Sequence, residues 1–346
     1  MNAVFNRHHK DAPADAVYIG RPSPWSNPWP IDKRASDAKA ERARVIELHR
    51  AWVARQPFYR LAASSELKDA ALECFCTPAP CHGHTWLKIV QEGVQEPVFV
   101  FGSNTRGRHG AGAALYATQR HGAQEGVSEG MTGSAYALPT RTFDPRGALW
   151  TLPIEAIQEA VERFMAFARS RPDLLFRLTR VGCGLAGHAD NLVAPLFFDA
   201  PENVMLPGTW ENRRKPCVRL IIAGSRSLEH LGPESKDRIL ERIDGLLRIM
   251  DLDTLQIVSG CAAGGDRIGE DWCISRGVLR NGDGLARFPA QWRAYGKAAG
   301  HIRNRLMAWY GTHLIALWDE SSPGTKAMIE AAQGDGLPVR IIRMPS

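Results

Sequence analysis

Short apolar runs alternate with longer amphipathic stretches along this chain, most regularly in its last third. Runs with the length of a buried strand occur at 98–101, 176–181, 218–223, 255–259 and 313–318. Apolar residues with the three-or-four spacing of one helix face occur at 45–52, 154–168 and 239–250. Strands that alternate with helices predict a parallel sheet covered by helices, so the fold class that we predict is α/β.

Two polar, proline-bearing joints divide the chain, at 91–97 and 208–216, and each comes just before an apolar run. The joints predict three modules, 1–92, 97–209 and 217–346. We expect the first to be a small α+β module and the second an α/β module with glycine loops. The third should be a doubly wound, Rossmann-like parallel sheet.

Glycine-bearing turns follow two strand-like runs of the last module, at 224–227 and 260–266. Ligands of parallel α/β sheets bind outside the carboxyl ends of the strands. Glycine lets the backbone approach a phosphate there, and the next helix presents free N–H groups. Arg303 adds a cation. The pattern therefore predicts a site for a nucleotide phosphate.

The last module resembles the SLOG superfamily of Rossmann-like nucleotide-binding domains, in particular its bacterial and phage branch related to YpsA. The resemblance rests on Gly-Ser-Arg at 224–226, Gly-x-Ala-x-Gly-Gly-Asp at 260–266, the stretch 296–307 and Gly-Thr at 324–325. With the turns described above, it predicts these ligand-binding residues: Gly224, Ser225, Arg226, Gly264, Gly265, Arg303, Asn304, Gly324 and Thr325.

Asp266 and Glu270 lie four residues apart at the start of a predicted helix, so both carboxylates can project from one face. We predict them as catalytic residues that hold ribose hydroxyls or stabilise an oxocarbenium-like state when a glycosidic bond breaks. The alternatives are that Asp266 caps its helix and that Arg303 bridges an acidic neighbour. Hydrolases of the SLOG group carry Pro-Gly-Gly-x-Gly-Thr-x-x-Glu, but 321–330 lacks the first glycines and displaces the glutamate. The resemblance therefore implies nucleotide binding and leaves hydrolysis open.

The middle module carries two glycine loops after strand-like runs, at 102–114 and 182–188. These loops and Tyr-Ala-x-Pro-Thr at 136–140 resemble an uncharacterised bacterial and phage family. Their order is loosely similar to macro domains, which bind or hydrolyse ADP-ribose derivatives. That likeness implies an asparagine that faces the ribose, and a histidine can serve as acid or base near neutral pH. The ligand-binding residues predicted here are Asn104, His109, Gly110, Gly112 and Gly184. The alternative is that the glycines only make tight turns.

Cysteine and histidine cluster in the first module, in a stretch that together with 17–28 resembles an uncharacterised, largely phage-borne domain. Thiolate and imidazole groups are typical zinc ligands. The candidate ligands are Cys74, Cys76, Cys81 and His82. The one-residue spacing of the first two cysteines is shorter than in the usual zinc knuckle, so we predict a buried structural turn, with zinc as the alternative. Arg21, Ser26 and Asn27 are predicted to form a polar pocket for an anion.

Composition narrows the class of partner only slightly. The net charge of +6, from 43 basic and 37 acidic residues, favours anionic partners. No apolar run approaches the roughly eighteen residues of a membrane span, and the N-terminus is polar. Seven cysteines without an export signal indicate reduced thiols. We therefore expect a cytoplasmic protein of a bacterial host cell, with no membrane partner and an open choice between monomer and homo-oligomer.

Three functions agree with these patterns. The first is a protein that binds, and as an enzyme would hydrolyse, a nucleotide or ADP-ribose-type metabolite at an N-glycosidic or ribosyl bond. The second is a non-catalytic sensor or sponge for a signalling nucleotide, such as a phage would use against host defence. The third is a virion-associated or single-stranded nucleic-acid-binding protein, because some SLOG relatives bind single-stranded DNA.

Overall fold

The computed structural model describes residues 3–8, 12–279 and 282–344. It divides the chain into two compact units. Unit 1 combines Met1–Val94 with Cys217–Ser346, and unit 2 is the continuous segment Gln95–Pro216. The first and third predicted modules thus lie in one compact unit, and their division into separate domains stays a prediction.

The N-terminal part of unit 1 is a small sheet with three helices. Its elements are β1 (Val4–Asn6), β2 (Val17–Tyr18), α1 (Ala38–Ala54), α2 (Pro57–Glu66), β3 (Leu72–Cys74) and α3 (Gly83–Glu92). β3 lies between β1 and β2 and is parallel to both. α1 begins where the Asp37 carboxylate accepts hydrogen bonds from two backbone N–H groups of the first turn. Its apolar face buries Val45 and Trp52, as the spacing predicts.

Unit 2 is a mixed α/β structure around a six-stranded sheet. Its elements are β4 (Val98–Asn104), α4 (Gly112–His121), β5 (Gly130–Thr132), β6 (Ala135–Phe143), β7 (Leu149–Thr151), α5 (Ile154–Ser170), β8 (Phe176–Leu178), α6 (Asp190–Val193), a 3-10 helix (Ala194–Phe197), β9 (Val204–Met205) and α7 (Gly208–Arg214). The strand order is β5-β6-β4-β8-β9, and β7 also pairs with β6. β5 and β7 run antiparallel to β6, whereas the other pairs are parallel.

Two sequence predictions for unit 2 differ from the structure. The strand predicted at 176–181 ends at Leu178, because the chain then turns into a loop in which Gly182 has a φ of 77°. The joint predicted at 208–216 is mostly the helix α7, which buries the Trp210 side chain completely. The Trp210 side chain belongs to the unit 2 core, so this otherwise polar segment packs against that core.

The C-terminal part of unit 1 alternates strands and helices. Its elements are β10 (Val218–Gly224), a 3-10 helix (Arg226–His230), α8 (Pro233–Leu247), β11 (Leu255–Ser259), α9 (Gly265–Ser275), β12 (Leu285–Arg287), α10 (Trp292–Tyr295), a 3-10 helix (Gly296–Ala298), α11 (Ala299–Tyr310), β13 (His313–Trp318), α12 (Pro323–Gly334) and β14 (Val339–Arg343). All strand pairs are parallel, in the order β12-β11-β10-β13-β14. This order confirms the predicted doubly wound, Rossmann-like sheet.

One hydrophobic core joins the two parts of unit 1. Trp52 and Trp86 from the N-terminal part and Ile257, Trp272 and Leu285 from the C-terminal part belong to the same buried cluster. The Trp52 indole N–H donates to the Leu285 carbonyl oxygen at 2.8 Å. Among the residues that the structure describes, no helix has both the length and the apolar character that a bilayer crossing requires.

Candidate functional site

A continuous chain of contacts links five predicted ligand-site or catalytic residues at the carboxyl edge of the C-terminal sheet. The Asp266 carboxylate accepts from the Gly224 N–H at 3.3 Å and lies 3.5 Å from the Arg303 guanidinium. The Arg303 Nε donates to the Asn304 side-chain oxygen at 2.9 Å. Asn304 in turn donates to the Gly324 carbonyl oxygen at 3.0 Å. The structure therefore brings together residues that lie up to a hundred positions apart in sequence.

Asp266 supplies the buried carboxylate in this series of contacts. It lies in the first turn of α9 and also accepts from the Ala262 N–H at 3.3 Å. Burial raises the pKa of Asp266 above its ordinary value, although Arg303 and the backbone hydrogen bonds act to lower it. The carboxylate bridges the end of β10 and the loop before α9 and accepts from no N–H group of α9 itself, so its described contacts are not those of a helix cap.

Three of the predicted phosphate-site glycines pack against each other. A Cβ on Gly224 would lie 2.5 Å from the Leu317 carbonyl oxygen, and one on Gly265 would overlap the Gly224 backbone. Gly264 has a φ of 79°, and a Cβ there would overlap the Ser225 carbonyl oxygen. These glycines are thus required by close backbone packing between two loops. In contrast, a Cβ on Gly324 would meet no atom within 4 Å.

Glu270 lies apart from this chain of contacts, against the N-terminal part of unit 1. It accepts from the Ser259 hydroxyl at 2.7 Å and pairs with the Arg287 guanidinium at 2.5 Å. Burial acts to raise the pKa of Glu270, but Arg287 holds it below its ordinary value. Arg287 also donates to the carbonyl oxygens of Pro24 and Ser26, at 3.2 and 2.7 Å. The catalytic role of Glu270 stays a prediction, and every contact described here is structural.

Asp319 is a member of the same edge that the sequence did not single out. It follows β13 directly, and its carboxylate accepts from the hydroxyls of Ser227 and Ser322 at 2.9 and 2.8 Å. The Ser225 hydroxyl accepts from the Asp319 N–H at 3.1 Å. Desolvation acts to raise the pKa of Asp319, but the Ser322 backbone and these hydroxyls hold it well below its ordinary value. The signal in the sequence that could have indicated Asp319 was a carboxylate directly after a buried strand.

Two other predicted ligand-binding residues differ in exposure. Thr325 is buried in α12, whereas Arg226 is exposed.

In unit 2, the Asn104 side chain is occupied by its own turn. Its amide nitrogen donates to the Arg108 carbonyl oxygen at 2.6 Å, and its oxygen accepts from the N–H groups of Arg106 and Arg108 at 3.1 Å each. His109 is buried, and its Nε2 lies 3.3 Å from the Ser103 hydroxyl. Both side chains therefore serve the local fold, and their role toward a ligand stays a prediction.

The two glycine loops of unit 2 meet each other. A Cβ on Gly112, which has a φ of 57°, would lie 3.2 Å from the Leu185 side chain of the second loop. Gly110 and Gly184 face open space, because a Cβ on either would meet no atom within 4 Å. The Leu185 side chain is 64% exposed. The two loops therefore touch at Leu185, and the ligand-binding role of their glycines stays a prediction.

A compact cluster of sulfur and imidazole ligands lies in the N-terminal part of unit 1. The Sγ atoms of Cys74 and Cys76 are 3.5 Å apart, and Cys81 Sγ is 3.7 Å from His82 Nδ1. All four ligand atoms lie within 4.8 Å of one another, so these residues could hold a metal ion such as zinc. Hydrogen bonds from Cys74 and, second, from Cys81 lower the pKa of Cys76. The contact with Cys76 raises the pKa of Cys74, and contacts with Cys74 and Cys76 raise the pKa of Cys81.

A pocket of about 320 Å³ lies beside this cluster. Cys74, Cys76 and His82 form part of its wall. The other lining residues are Tyr18, Gly20, Arg21, Asn27, Trp29, Ile31, Arg42, Val45, Ile46, Phe75 and Pro80. Arg21 and Asn27 thus line a pocket as predicted, whereas the Ser26 side chain is buried away from its wall. Arg42 was missed because it is distant in sequence from the motif, whereas Tyr18, Trp29 and Phe75 lie in or beside the motif stretches and were not predicted to face one pocket.

The N-terminal part of unit 1 matches a described family. Residues 4–92 match the model of a domain of unknown function, DUF4326. This match covers about a quarter of the chain. No curated protein matches the chain.

Two solved structures share a limited likeness with the chain. DNA processing protein A from Helicobacter pylori, described for its single-stranded DNA binding mode, is 19% identical over 37% of this chain, with a TM-score of 0.26. The chain spans 66% of that protein, just under two thirds of its length. A protein of unknown function from Bacteroides thetaiotaomicron is 17% identical over 32% of this chain and 84% of its own, with a TM-score of 0.24. At these TM-scores, neither likeness bears on the function of this chain.

Proposed function

We propose that unit 1 binds a nucleotide through its phosphate at the carboxyl edge of the C-terminal sheet, between the ends of β10 and β13. The observation that carries the proposal is the chain of contacts from Gly224 through Asp266, Arg303 and Asn304 to Gly324. It lies where the strand order reverses, with β11 on one side of β10 and β13 on the other. Loops diverge at such a point and leave a crevice, which is where open α/β sheets bind their ligands.

The first turn of α12 supplies the donors for an anion. The Ser322 side chain that precedes this twelve-residue helix makes no capping hydrogen bond to it, and instead donates to Asp319. The N–H groups of the first turn are therefore free of a side-chain cap, and the positive end of the helix dipole favours a phosphate. Gly324 leaves room in front of this turn. Lys326 in α12 and Arg226 in the 3-10 helix after β10 are exposed cations.

Two further considerations favour unit 1 over unit 2 as the nucleotide site. The motifs at 224–226, 260–266 and 324–325 resemble the SLOG superfamily of nucleotide-binding domains. The macro-like reading of unit 2 needs the Asn104 amide to face a ribose, but that amide is already bonded to its own turn. An ADP-ribose-type ligand is therefore also expected to bind at the nucleotide site of unit 1.

Hydrolysis at an N-glycosidic or ribosyl bond is the second candidate function, and Asp266 is the observation that favours it. A buried carboxyl whose pKa is raised retains a proton to higher pH, as a general acid must. Glu270 is held as a carboxylate by Arg287, so we assign it a structural role in this scheme.

The proposal is tested by substitution of the open glycine. Gly324→Asp adds a negative charge in the first turn of α12, which should stabilise the helix by about 0.3–1 kcal/mol and repel a phosphate. Gly334→Asp adds the same charge at the far end of α12, where a Cβ also meets no atom within 4 Å. The affinity for AMP, NAD and ADP-ribose is measured by calorimetry. We expect Gly324→Asp to raise Kd by about tenfold or more, equivalent to about 1.4 kcal/mol, and Gly334→Asp to leave it unchanged.

Equal affinity of wild type and Gly324→Asp would overturn the proposed site. Chromatography of the same mixtures decides between the candidate functions. A product that disappears in Asp266→Asn while binding persists indicates hydrolysis, and intact ligand indicates a sensor or sponge. Binding to single-stranded DNA alone, falling steeply with salt, would replace the nucleotide proposal.

A further inference from the structure

The four donor atoms of the cluster Cys74, Cys76, Cys81 and His82 all lie within 4.8 Å of one another. In tetrahedral zinc sites the Zn–S bonds are about 2.3 Å, which places neighbouring sulfurs about 3.8 Å apart. The two distances in the cluster that involve neighbouring donors, 3.5 and 3.7 Å, agree with such an edge. Since the largest separation is 4.8 Å, an ion requires shifts of at most about 1 Å.

The local backbone explains how the unusual one-residue spacing fits. Cys74 ends β3, and the chain bends directly after it, at 75–76. Within this bend the Phe75 side chain is 50% exposed, whereas the sulfurs of Cys74 and Cys76 lie 3.5 Å apart. Cys81 and His82 then return to the same place just before α3.

His82 is held in the tautomer that a metal needs. Its Nε2 lies 3.0 Å from the Ile19 carbonyl oxygen, which only accepts hydrogen bonds, so Nε2 carries the proton. Nδ1 therefore presents its lone pair toward Cys81. A backbone carbonyl that orients a histidine in this way is the usual outer partner of a metal-ligating imidazole.

Cys81 lies just before α3, next to the first turn of that helix. Its sulfur accepts from the Gly83 N–H at 3.3 Å and lies at the N-terminal end of the ten-residue helix α3, where the dipole is positive. Cys74, Cys81 and His82 are buried and Cys76 is half-buried, so water competes poorly for the four positions.

We propose that Cys74, Cys76, Cys81 and His82 bind one zinc ion in a four-ligand structural site. Three thiolates and one imidazole are a common donor set of such sites, and four protein ligands leave no position for a substrate. The ion joins the end of β3 to the start of α3 and fixes one wall of the neighbouring pocket. This site is independent of the nucleotide site proposed above.

The test is the metal content of the full chain, measured by mass spectrometry after purification and dialysis. We expect about one zinc per wild-type chain. Cys81→Ser should raise the zinc Kd by more than about 100-fold, because even outer partners of a metal site contribute about 10–100-fold. The matched control is Cys183→Ser, since Cys183 is a partly buried thiol of unit 2 outside the cluster. It should retain wild-type zinc.

A second measurement keeps the proposal testable if Cys81→Ser fails to fold. Zinc is removed from the wild type with a chelator and then restored, and the Tm is followed. A lower Tm that zinc restores supports the site, because an ion that binds only the folded chain stabilises it. Cobalt in place of zinc should give a thiolate-to-metal absorption that weakens by about one third in Cys76→Ser, when one of three thiolates is lost. A wild type that binds no zinc, or a Cys183→Ser that loses it equally, would overturn the proposal.

Discussion

At the scale of single residues, Arg287 connects the N-terminal and C-terminal parts of unit 1 through contacts that no sequence motif indicates. The guanidinium is 2% exposed and is satisfied by Glu270 and by two carbonyl oxygens of the N-terminal part. A buried ion pair of this kind contributes little net stability, but its separation is costly because one charge remains buried. The sequence showed that Glu270 shares a helix face with Asp266, but periodicity along a helix contains no information on which cation reaches that face.

Arg287→Met should lower the free energy of unfolding of unit 1 by about 3–5 kcal/mol, because it leaves the Glu270 carboxylate buried and unpaired. The double change Arg287→Met with Glu270→Met should cost clearly less than the sum of the single changes. Urea unfolding measures both. Arg50→Met is the control, because Arg50 forms an exposed pair with Glu47 on α1 and should cost under about 1 kcal/mol. Additive costs at 287 and 270 would contradict this account.

At the scale of elements, the spacing of apolar residues predicted the strands and helices that depend on local sequence. The runs at 255–259 and 313–318 are β11 and β13, and the face at 154–168 lies in α5. Met250 lies beyond the end of α8, although its spacing continued the predicted face. The return of Cys81 to Cys74 through a turn, and the burial of Trp210 in α7, depend on tertiary contacts that no period encodes.

The end of α4 should respond to acid. The His121 ring stacks on Phe99 of β4 at 4.6 Å, and burial, followed by the Arg177 charge, lowers the pKa of His121 to about 4. Between pH 6.5 and 4 the unfolded chain therefore binds a proton that the folded chain does not. Stability is full above the unfolded pKa and should fall by about 3 kcal/mol toward pH 4. Urea unfolding at pH 7 and 4.5 measures this loss.

His121→Phe is the control for the acid response, since it retains an aromatic ring on Phe99 and removes the titrating group. Its stability should change less between the two pH values than that of the wild type. Glu96, whose carboxylate lies 3.8 Å from His121 Nδ1, is present in both proteins. An identical pH response of the two proteins would assign the acid effect to other groups.

At the scale of the whole molecule, unit 1 is discontinuous in sequence. The joints at 91–97 and 208–216 predict three modules, but no sequence pattern indicated that the first and last share a core. The sequence shows that Trp52 and Leu285 are apolar, but only the structure shows that the Trp52 indole donates to the Leu285 carbonyl oxygen. Which buried faces pair is a property of shape, and a hydrophobic pattern specifies only that each face needs a partner.

Fragments should behave according to these units. Residues 95–216 expressed alone should fold cooperatively, because their core lies within the segment. Residues 217–346 alone should aggregate, because Leu285 and Arg287 lose their partners in 1–94. Co-expression with 1–94 should restore a soluble pair that copurifies. Circular dichroism melts and size-exclusion chromatography measure these outcomes, and a stable, monomeric 217–346 fragment would contradict the shared core.

The shared core also delays the burial of the N-terminal aromatic residues during synthesis. Trp52 leaves the ribosome roughly 230 residues before Leu285 does. At translation rates of about 5–20 residues per second, the N-terminal tryptophans wait on the order of 10–50 s for the strand that covers them. During that interval the whole of unit 2 emerges and can fold. The nascent chain therefore carries an uncovered aromatic face for most of its elongation, which is the kind of surface that cellular chaperones shield.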